Sequence, residues 1–175
     1  MKTFPTDILD VLIVQVDVHQ DLRGQFMELF KYDDFPEVCM QDNISRSRKG
    51  TIRGLHYQLL NPQAKLVTVI HGSILDVAVD IRLNSPTFGK CVAEVLKADT
   101  GRQLFMPEGF AHGFQALEDD TVVFYKCGNY YRPDDTYGII YNDPEIDIPW
   151  RILDVPLTIS EADQKQPLLK NAKLI

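Results

Sequence analysis

Hydrophobic residues along this chain alternate with polar or small residues in short runs, which is the period-two pattern of β-strands. One run contains Val67 and Val69, and a second extends over residues 77–81, with His71-Gly72 interrupting the pattern between them. Helical periodicity is scarce by comparison. The pattern therefore predicts two facing strands in this part of the chain.

Two further pairs of apolar runs are separated by turn-forming residues. The runs of the first pair are 91–96 and 103–106, and those of the second pair are 114–117 and 122–125. Short strands at a spacing of roughly ten residues, separated by Gly, Pro and Asp, are typical of an antiparallel sandwich or barrel. The sequence therefore predicts an all-β fold.

Helix is predicted at only two places, residues 33–40 and the tail after Ser160. Asp163 stands at the third position of the tail helix, an arrangement that is typical of a capping box with Ser160. No internal repeat or long linker divides the sequence, so residues 1–175 are predicted to form one domain with short peripheral helices. Residues 143–156 are predicted to be an irregular loop around the core.

The composition is that of an ordinary globular protein, with 45% hydrophobic and 25% charged residues among 175. The sequence has no run of eighteen apolar residues, and its first residues lack the apolar segment of a signal peptide. Cys39, Cys91 and Cys127 are odd in number and widely spaced, which fits neither a disulfide framework nor a zinc motif. These features predict a cytoplasmic protein with reduced cysteines and no membrane partner.

The formal net charge of −7 is unfavourable for binding nucleic acid, so no nucleic-acid partner is predicted. The charge is distributed unevenly, because residues 43–75 contain five basic side chains and no Asp or Glu. The basic residues are Arg46, Arg48, Lys49, Arg53 and Lys65. This segment is either a solvated basic loop or a surface that binds a small anion.

Two histidines occur in related sequence contexts. Gly50 precedes His56 with five residues between them, and Pro107 and Gly109 precede His112. These spacings resemble the two halves of the cupin signature, in which two strands of a jelly-roll barrel direct ligands into its mouth. The His-x-His pair and the Glu of metal-binding cupins are missing, and two histidines alone make a poor catalytic metal site. A metal-free barrel with a cationic pocket is therefore predicted, with a metal site as the alternative.

Several longer segments carry a resemblance to a known family. They are DLRGQFME (21–28), QDNIS (41–45), RGLHYQ (53–58), KLV (65–67), DVAVDIR (76–82), SPTFG (85–89) and PEGFAHGF (107–114). In their number and order, they make the sequence from about Asp10 to Leu169 resemble the cofactor-independent dTDP-4-dehydrorhamnose 3,5-epimerases, the RmlC-like branch of the cupins. The resemblance implies a cupin-type jelly-roll β-barrel. It also implies a homodimer in which an N-terminal segment of one subunit helps to form the partner's site.

The resemblance implies a reaction as well, the inversion of a nucleotide-linked 4-keto-6-deoxyhexose at C3 and C5 without a cofactor. Both carbons are α to the C4 ketone, so removal of either proton gives an enolate, and a proton returning to the opposite face inverts the centre. The predicted substrate is dTDP-4-dehydro-6-deoxy-D-glucose and the product dTDP-4-dehydro-L-rhamnose. The alternatives are an epimerase for one centre or another nucleotide, a non-catalytic sugar-nucleotide binding protein, and a metal-dependent cupin enzyme.

Four catalytic residues are implied by the match to this family. His56 is the expected base, because imidazole titrates near working pH, and Asp163 matches the carboxylate that orients it. The helix cap is the competing interpretation of Asp163. Lys65 is expected to stabilise the C4 oxyanion, and Tyr125 is expected to act as the acid on the opposite face of the sugar.

The same match implies the substrate contacts. Arg23 and Arg53 suit the diphosphate, because guanidinium groups bind phosphate oxygens in pairs. Tyr131 matches the tyrosine that stacks on the nucleotide base. Further positions that match substrate contacts are Glu28, Gln41, Asp42, Asn43 and His112. Since the family is dimeric, Arg23 and Glu28 are predicted to act in the partner's site.

Two positions depart from the family pattern. Thr136 stands where the pattern has Glu, and Ala162 stands where it often has Lys. Both pattern residues contact substrate, so the departures concern the identity of the nucleotide more than the reaction. Asp134 or Asp135 could replace the missing Glu through a small shift of the loop, which keeps thymidine as the expected nucleoside.

Overall fold

The structure of the protein, a computed structural model that describes residues 1–174, contains fourteen strands, and the predicted apolar runs are among them. The strands are β1 (Lys2–Pro5), β2 (Leu12–Gln15), β3 (Val18–Asp21), β4 (Gly24–Met27), β5 (Gln41–Ser47), β6 (Thr51–Gln58), β7 (Lys65–His71), β8 (Ser73–Asp80), β9 (Cys91–Lys97), β10 (Arg102–Met106), β11 (Phe110–Ala116), β12 (Thr121–Cys127), β13 (Thr136–Gly138) and β14 (Thr158–Ile159). The helical segments are α1 (Glu161–Gln164) and three 3₁₀ turns, Pro36–Val38, Pro133–Asp135 and Leu169–Asn171.

Most of the strands belong to two sheets with a common core. The first sheet has the order β1-β2-β10-β7-β12-β5, and the second has the order β13-β6-β11-β8-β9 with the short β14 paired to β6. Val67 and Leu104 from the first sheet and Ile74 and Phe114 from the second belong to one buried cluster. β3 and β4 form a separate hairpin. The prediction of an all-β, jelly-roll fold is confirmed.

The predicted strands are present, but the turns between them do not join hydrogen-bonded neighbours. β7 and β8 belong to different sheets, as do β9 and β10 and also β11 and β12. Gly72 permits one of these crossings, because its φ is +76° and a Cβ atom there would lie 2.5 Å from the Thr121 hydroxyl oxygen. Apart from the consecutive pairs β1–β2 and β8–β9, each sheet is assembled from strands that do not follow one another in the chain, as expected of a jelly roll.

The outer face of the second sheet is covered by the later part of the chain. Ile146, Ile148 and Leu169 pack in one buried cluster with Val77 of β8. All eight residues of β8 are consequently buried. The segment 143–156 has no regular strand or helix, as predicted, and its apolar side chains form part of this cover.

The two predicted helices have different outcomes. Residues 33–40 contain only the 3₁₀ turn Pro36–Val38, because Phe35, which precedes the proline, has φ −142° and ψ 67° and lies outside the helical region. The prediction of a helix after Ser160 is confirmed by α1. No helix in residues 1–174 is long and apolar enough to cross a membrane.

A buried carboxylate fastens the loop that connects β8 to β9. Asp80 is fully buried and accepts hydrogen bonds from the Arg82 guanidinium at 2.7 and 2.9 Å and from the hydroxyls of Ser85 and Thr87 at 2.5 and 2.6 Å. The guanidinium also lies over the Phe110 ring, 4.7 Å from its centroid. Burial raises the pKa of Asp80, but the hydrogen bonds from Arg82, Ser85 and Thr87 outweigh it and leave the pKa at about 2.

Asp80→Asn is expected to lower the free energy of unfolding at neutral pH by about 2 kcal/mol, because the folded protein holds this pKa at about 2 instead of 3.8. A lowered pKa stabilises the folded state fully above about pH 4, and this stabilisation is lost as the pH falls toward about 2. Urea unfolding at neutral and acidic pH measures the difference, with Asp10→Asn at the exposed end of the Arg82 network as the control. A variant with wild-type stability at neutral pH contradicts the prediction.

Candidate active site

Two adjoining cavities, of about 680 and about 470 Å³, form a cleft in the barrel. They share the side chains of His56, Lys65, Tyr125 and Asp163, which we call the central quartet. These residues lie on β6, β7, β12 and α1, respectively. The fold thus brings together the four residues that the family resemblance singled out as catalytic.

The larger cavity, which we call the basic lobe, is lined by Arg46, Arg48 and Arg53 and by several hydroxyl groups. The hydroxyls belong to Ser45, Ser47, Thr51, Thr158 and Ser160. Arg53 donates to Ser47 Oγ at 3.1 Å, while the Ser45 hydroxyl is buried and has no hydrogen-bond partner among residues 1–174. Since Lys65 also lines this lobe, four of the five basic residues in segment 43–75 surround one cavity. The arrangement favours the anion-binding interpretation of that segment.

The smaller cavity, which we call the amide lobe, carries a different set of polar groups. Its carboxamides are those of Gln41, Asn43, Gln58, Gln63 and Gln166. Tyr57 and Tyr131 add aromatic surface, and both departures from the family pattern, Thr136 and Ala162, line the same lobe. Because neither departure carries a charge, the amide lobe offers hydrogen bonds and ring faces to a ligand outside the central quartet.

His56 and Asp163 form a hydrogen-bonded pair in the centre of the cleft. His56 Nε2 lies 2.7 Å from Asp163 Oδ1, and the other carboxylate oxygen accepts from the Gly54 amide at 3.3 Å. Burial raises the pKa of Asp163, but the hydrogen bond and charge of His56 together with the Gly54 and Ser160 contacts hold it below its usual value. The ionised carboxylate therefore accepts a hydrogen bond from the Nε2–H group, which leaves Nδ1 as the free basic nitrogen of His56.

The capping interpretation of Asp163 and the paired interpretation are both correct. The backbone N–H of Asp163 donates to Ser160 Oγ at 3.0 Å, which caps α1, and the carboxylate of the same residue contacts His56. The two contacts use different atoms and do not compete. The cap fixes the first turn of α1, and this turn directs the carboxylate toward β6.

Lys65 and Tyr125 lie on neighbouring strands of the first sheet. Lys65 is 8% exposed, and burial lowers the pKa of its ammonium, while the charges of Cys127 and Asp76 act in the opposite direction. Burial raises the pKa of the Tyr125 hydroxyl. At neutral pH Tyr125 is consequently a proton-carrying group in the same cleft as a poorly hydrated ammonium.

A second histidine–carboxylate pair, missed in the sequence, lies inside the barrel. Asp76 on β8 is completely buried, and its Oδ1 lies 2.7 Å from Nε2 of His112, which lines the basic lobe. Burial lowers the pKa of His112, with Asp76 opposing the effect. The signal in the sequence is an aspartate in the apolar run 74–79, where an unpaired charge is costly.

Three of the predicted substrate contacts do not line the cleft. Arg23 lies on the exposed hairpin, where it pairs with Asp21 at 2.5 Å, and Glu28 pairs with Lys31 at 2.8 Å. Asp42 points to the opposite face of β5 from Gln41 and Asn43, because successive strand residues alternate, and it binds Lys126 at 2.6 Å. The predicted contacts that do line the cleft are Gln41, Asn43, Arg53, His112 and Tyr131.

Asp134 and Asp135 do not replace the missing Glu of the family pattern. Asp135 is buried and accepts hydrogen bonds from the backbone of Leu59, Leu60 and Asn61, so its carboxylate is fully engaged in holding that loop. Asp134 is exposed and does not line the amide lobe. The expectation that one of them takes this role is therefore wrong for this structure.

No group of three or more His, Cys, Asp and Glu side chains suited to a metal ion occurs in residues 1–174. The two histidine–carboxylate pairs are built from separate residues, and each histidine binds its own carboxylate. The metal-independent site stays a prediction, which chelator treatment tests.

Comparisons with known proteins agree with this geometry. The model of the family "dTDP-4-dehydrorhamnose 3,5-epimerase" matches residues 5–171. The enzyme of that name from Methanothermobacter thermautotrophicus is 45% identical over 173 residues, which are 95% of this chain and 94% of the relative. The one from Neisseria gonorrhoeae is 46% identical over 162 residues, and the chain spans about half of that relative's length, 49%.

A solved structure matches the architecture as well as the sequence. It is that of the dTDP-6-deoxy-D-glucose-3,5-epimerase RmlC from Legionella pneumophila in complex with dTDP-4-keto-L-rhamnose. The TM-score is 0.93 at 40% identity, and the match covers 97% of this chain and 93% of the other. From the fold, the cleft and these matches, the chain belongs to the dTDP-4-dehydrorhamnose 3,5-epimerase family.

Proposed function

We propose that this protein is a cytoplasmic enzyme that epimerises dTDP-4-dehydro-6-deoxy-D-glucose at C3 and C5 to dTDP-4-dehydro-L-rhamnose, without a cofactor, in dTDP-rhamnose biosynthesis. The observation that carries the proposal is the central quartet, in which a base, its carboxylate partner, an ammonium and a hydroxyl acid line one cleft. Family membership supports the same reaction. Each group has a separate task, which its surroundings determine.

His56 is the proposed base. Asp163 holds the ring through Nε2, so Nδ1 is free to remove the proton from C3 or C5 of a sugar in the cleft. As the proton arrives, the imidazole becomes cationic, and the ionised Asp163 beside it stabilises that charge. The side chain of His56 is 40% exposed, which leaves it accessible to a ligand.

Lys65 is the proposed partner of the C4 oxygen. Removal of an α proton moves negative charge onto this oxygen, and an ammonium in a poorly hydrated cleft stabilises that charge more strongly than water does. The same ammonium serves both steps, because the C3 and C5 enolates place their charge on one oxygen. One ammonium can therefore stabilise the enolate intermediates of both inversions.

Tyr125 is the proposed acid on the other face of the sugar. Inversion requires the proton to return from the side opposite the base, so the two groups have to flank the ring. His56 belongs to the second sheet and Tyr125 to the first, and both line both lobes of the cleft. A sugar between the two sheets then has the base on one face and the acid on the other.

The rest of the cleft suits the nucleotide part of the substrate. Arg53 and the hydroxyls beside it provide donors for the diphosphate, and Tyr131, with half of its surface exposed, provides a ring face for the base. Gln41 and Asn43 offer amide groups in the amide lobe. With Thr136 and Ala162 in this lobe, thymidine is selected by amides and shape instead of by charged side chains.

We also propose that the enzyme is a homodimer whose sites are completed across the interface. The β3–β4 hairpin is almost entirely exposed and carries Phe26 with 66% of its surface accessible, and Ile44 on the edge strand β5 is 70% exposed. The free edge of β5 is available for pairing with a second chain, which supports an interface on this side of the first sheet. In this assembly Arg23 and Glu28 reach the partner's cleft instead of their own.

Arg23→Ala and His56→Ala are expected to complement each other in a hybrid dimer. If Arg23 acts in the partner's site, a hybrid contains one doubly altered site and one intact site. Co-expression at equal levels then restores about a quarter of wild-type activity, since half of the dimers are hybrid. Tagged co-purification followed by a turnover assay measures this, and the two single variants are the baseline. If Arg23 acts in its own site, no intact site forms and no activity returns.

Proton exchange tests the proposed reaction directly. Chelator-treated protein is incubated in heavy water with dTDP-4-keto-6-deoxyglucose, and NMR follows the C3 and C5 protons. Exchange at both carbons with formation of the L-rhamno product is expected. Exchange at one carbon identifies a single-centre epimerase, and loss of activity that added metal restores identifies a metal-dependent enzyme. Tight binding of the dTDP sugar without exchange identifies a binding protein.

A further inference from the structure

Asp76 is an unusual residue for the interior of a β-barrel. Its strand neighbours on the inward face, Ile74 and Ala78, belong to the buried core between the sheets. The carboxylate itself has no accessible surface. Its Oδ1 binds His112, but Oδ2 has no hydrogen-bond partner among residues 1–174. The barrel thus contains an incompletely paired carboxylate where an apolar side chain would pack.

Burying such a carboxylate is unfavourable for the stability of the fold. Removing a carboxylate from water costs several kcal/mol unless hydrogen bonds and opposite charges replace its hydration, and here half of the hydrogen-bonding capacity is unused. A carboxylate retained under these conditions is expected to act on the groups around it. The nearest candidates are His112, which it contacts, and Lys65, whose ammonium is buried on the opposite sheet.

The contact with His112 determines which nitrogen this ring offers to a ligand. Because Asp76 accepts a hydrogen bond from Nε2–H, His112 retains Nδ1 as an acceptor while it lines the basic lobe. An acceptor at this place suits a sugar hydroxyl group. Without this carboxylate either tautomer of His112 would be available, and the tautomer with a proton on Nδ1 would present a donor to the lobe instead.

The electrostatic effect on Lys65 follows from burial. Desolvation favours the neutral amine, and Asp76 and Cys127 are the groups whose negative charge counteracts it. The other titratable or charged groups that line the same lobe are Arg46 from β5, Arg48 just after β5, Arg53 and His56 from β6, His112 from β11, Tyr125 from β12 and Asp163 from α1. Of the two counteracting groups, burial raises the pKa of the Cys127 thiol, so Cys127 is uncharged at neutral pH. Asp76 is then the buried carboxylate whose charge counteracts the desolvation of Lys65.

We propose that Asp76 is a positioning residue for the proposed epimerisation, which holds His112 as a hydrogen-bond acceptor and keeps Lys65 in its ammonium form for the developing enolate. The inference rests on the proposed function for the task of Lys65. The juxtaposition itself does not depend on that function, because the burial, the His112 contact and the unpartnered oxygen are features of the fold.

Asp76→Asn removes the charge and retains nearly the same shape. Without this charge Lys65 loses its proton at lower pH, so the ammonium that stabilises the enolate disappears earlier as the pH rises. The alkaline limb of kcat/KM is expected to move to lower pH by about one unit, and kcat at neutral pH is expected to fall by about tenfold or more. Asp80→Asn is the matched control, since it neutralises another buried carboxylate of β8 that binds Arg82 outside the cleft.

The decisive measurement is the titration of Lys65 itself, which requires no turnover. Protein labelled with ¹³C at the lysine ε carbon is titrated by NMR, and Lys65→Met assigns the signal. A lower titration midpoint in Asp76→Asn, with an unchanged midpoint in Asp80→Asn, supports the proposal. An unchanged Lys65 midpoint in Asp76→Asn overturns it, whether or not the wild type epimerises the dTDP sugar.

A separate comparison covers the possibility that the variant misfolds. Asp76→Ser is a smaller neutral substitution that leaves room for water in place of the carboxylate, and circular dichroism with urea unfolding selects the variants that are folded. A folded neutral variant with a wild-type alkaline limb contradicts the proposal even if its kcat is reduced, because a purely structural role lowers activity without moving that limb. Failure of the wild type to exchange C3 or C5 protons instead contradicts the proposed function.

Discussion

His56→Ala is expected to lower kcat for the dTDP sugar by a factor of about 10² to 10⁴, the usual contribution of a positioned general base. The reason is that the His56 side chain is 40% exposed with Nδ1 free, whereas His112 is only 8% exposed and burial lowers its pKa, which makes it a weaker base. The same variant is expected to lose exchange at both C3 and C5, because the proposed mechanism assigns one base to both centres. Solvent-exchange NMR and a coupled turnover assay measure the two effects.

His71→Ala is the matched control for this variant. His71 lies exposed at the end of β7, away from both lobes, and its loss is expected to leave turnover unchanged. Continued exchange at the wild-type rate in His56→Ala would show that another group removes the proton. Selective loss of exchange at one carbon would show that two different bases serve the two centres.

Asp163→Asn is expected to lower kcat by a factor of about 10² to 10⁴, comparable to the loss of the orienting carboxylate in other His–Asp pairs. Asparagine is similar in size and keeps the backbone N–H that Ser160 accepts, so the cap of α1 remains. The negative charge that stabilises the protonated imidazole is lost, and the amide nitrogen favours the wrong tautomer of His56. Because the pKa of Asp163 is lowered in the folded protein, its carboxylate is ionised throughout the neutral range.

Two neighbouring substitutions separate the role of the carboxylate from that of the helix cap. Glu161→Gln neutralises an exposed acid in the same helix and is expected to leave kcat unchanged. Ser160→Ala removes the cap and is expected to cost about 1 kcal/mol of stability with only a small effect on kcat. If Ser160→Ala and Asp163→Asn reduced kcat equally, the function of Asp163 would be mainly to hold α1.

Sequence alone established the class of fold. The alternating runs 67–69 and 77–81 have the period of a β-strand, in which successive side chains point to opposite faces. Such a strand buries one or both faces only as part of a sheet, so the runs predict sheets. Which strands pair was not accessible in this way. A turn signal shows where the chain reverses but not whether it returns within one sheet or crosses to the other, and here it crosses at Gly72.

Some features of the candidate site were likewise predictable from the sequence, and others were not. The family resemblance of the motifs around His56, Lys65 and Tyr125 identified these side chains of the cleft. The orientation of Asp42 could also be foreseen, because alternation along β5 opposes it to Gln41 and Asn43. The positions of Arg23 and Glu28 outside their own cleft depend on the path of the exposed hairpin.

What the sequence determined by itself is therefore the set of reactive groups and the all-β architecture that carries them. Only the tertiary structure showed that Asp163 contacts His56, 107 positions away, as the resemblance implied, while it also takes part in the helix cap, and that the unforeseen Asp76 pairs with His112 across 36 positions. The physical reason is that charge and proton position depend on burial and on the nearest partner, and both are created by contacts between residues far apart in sequence.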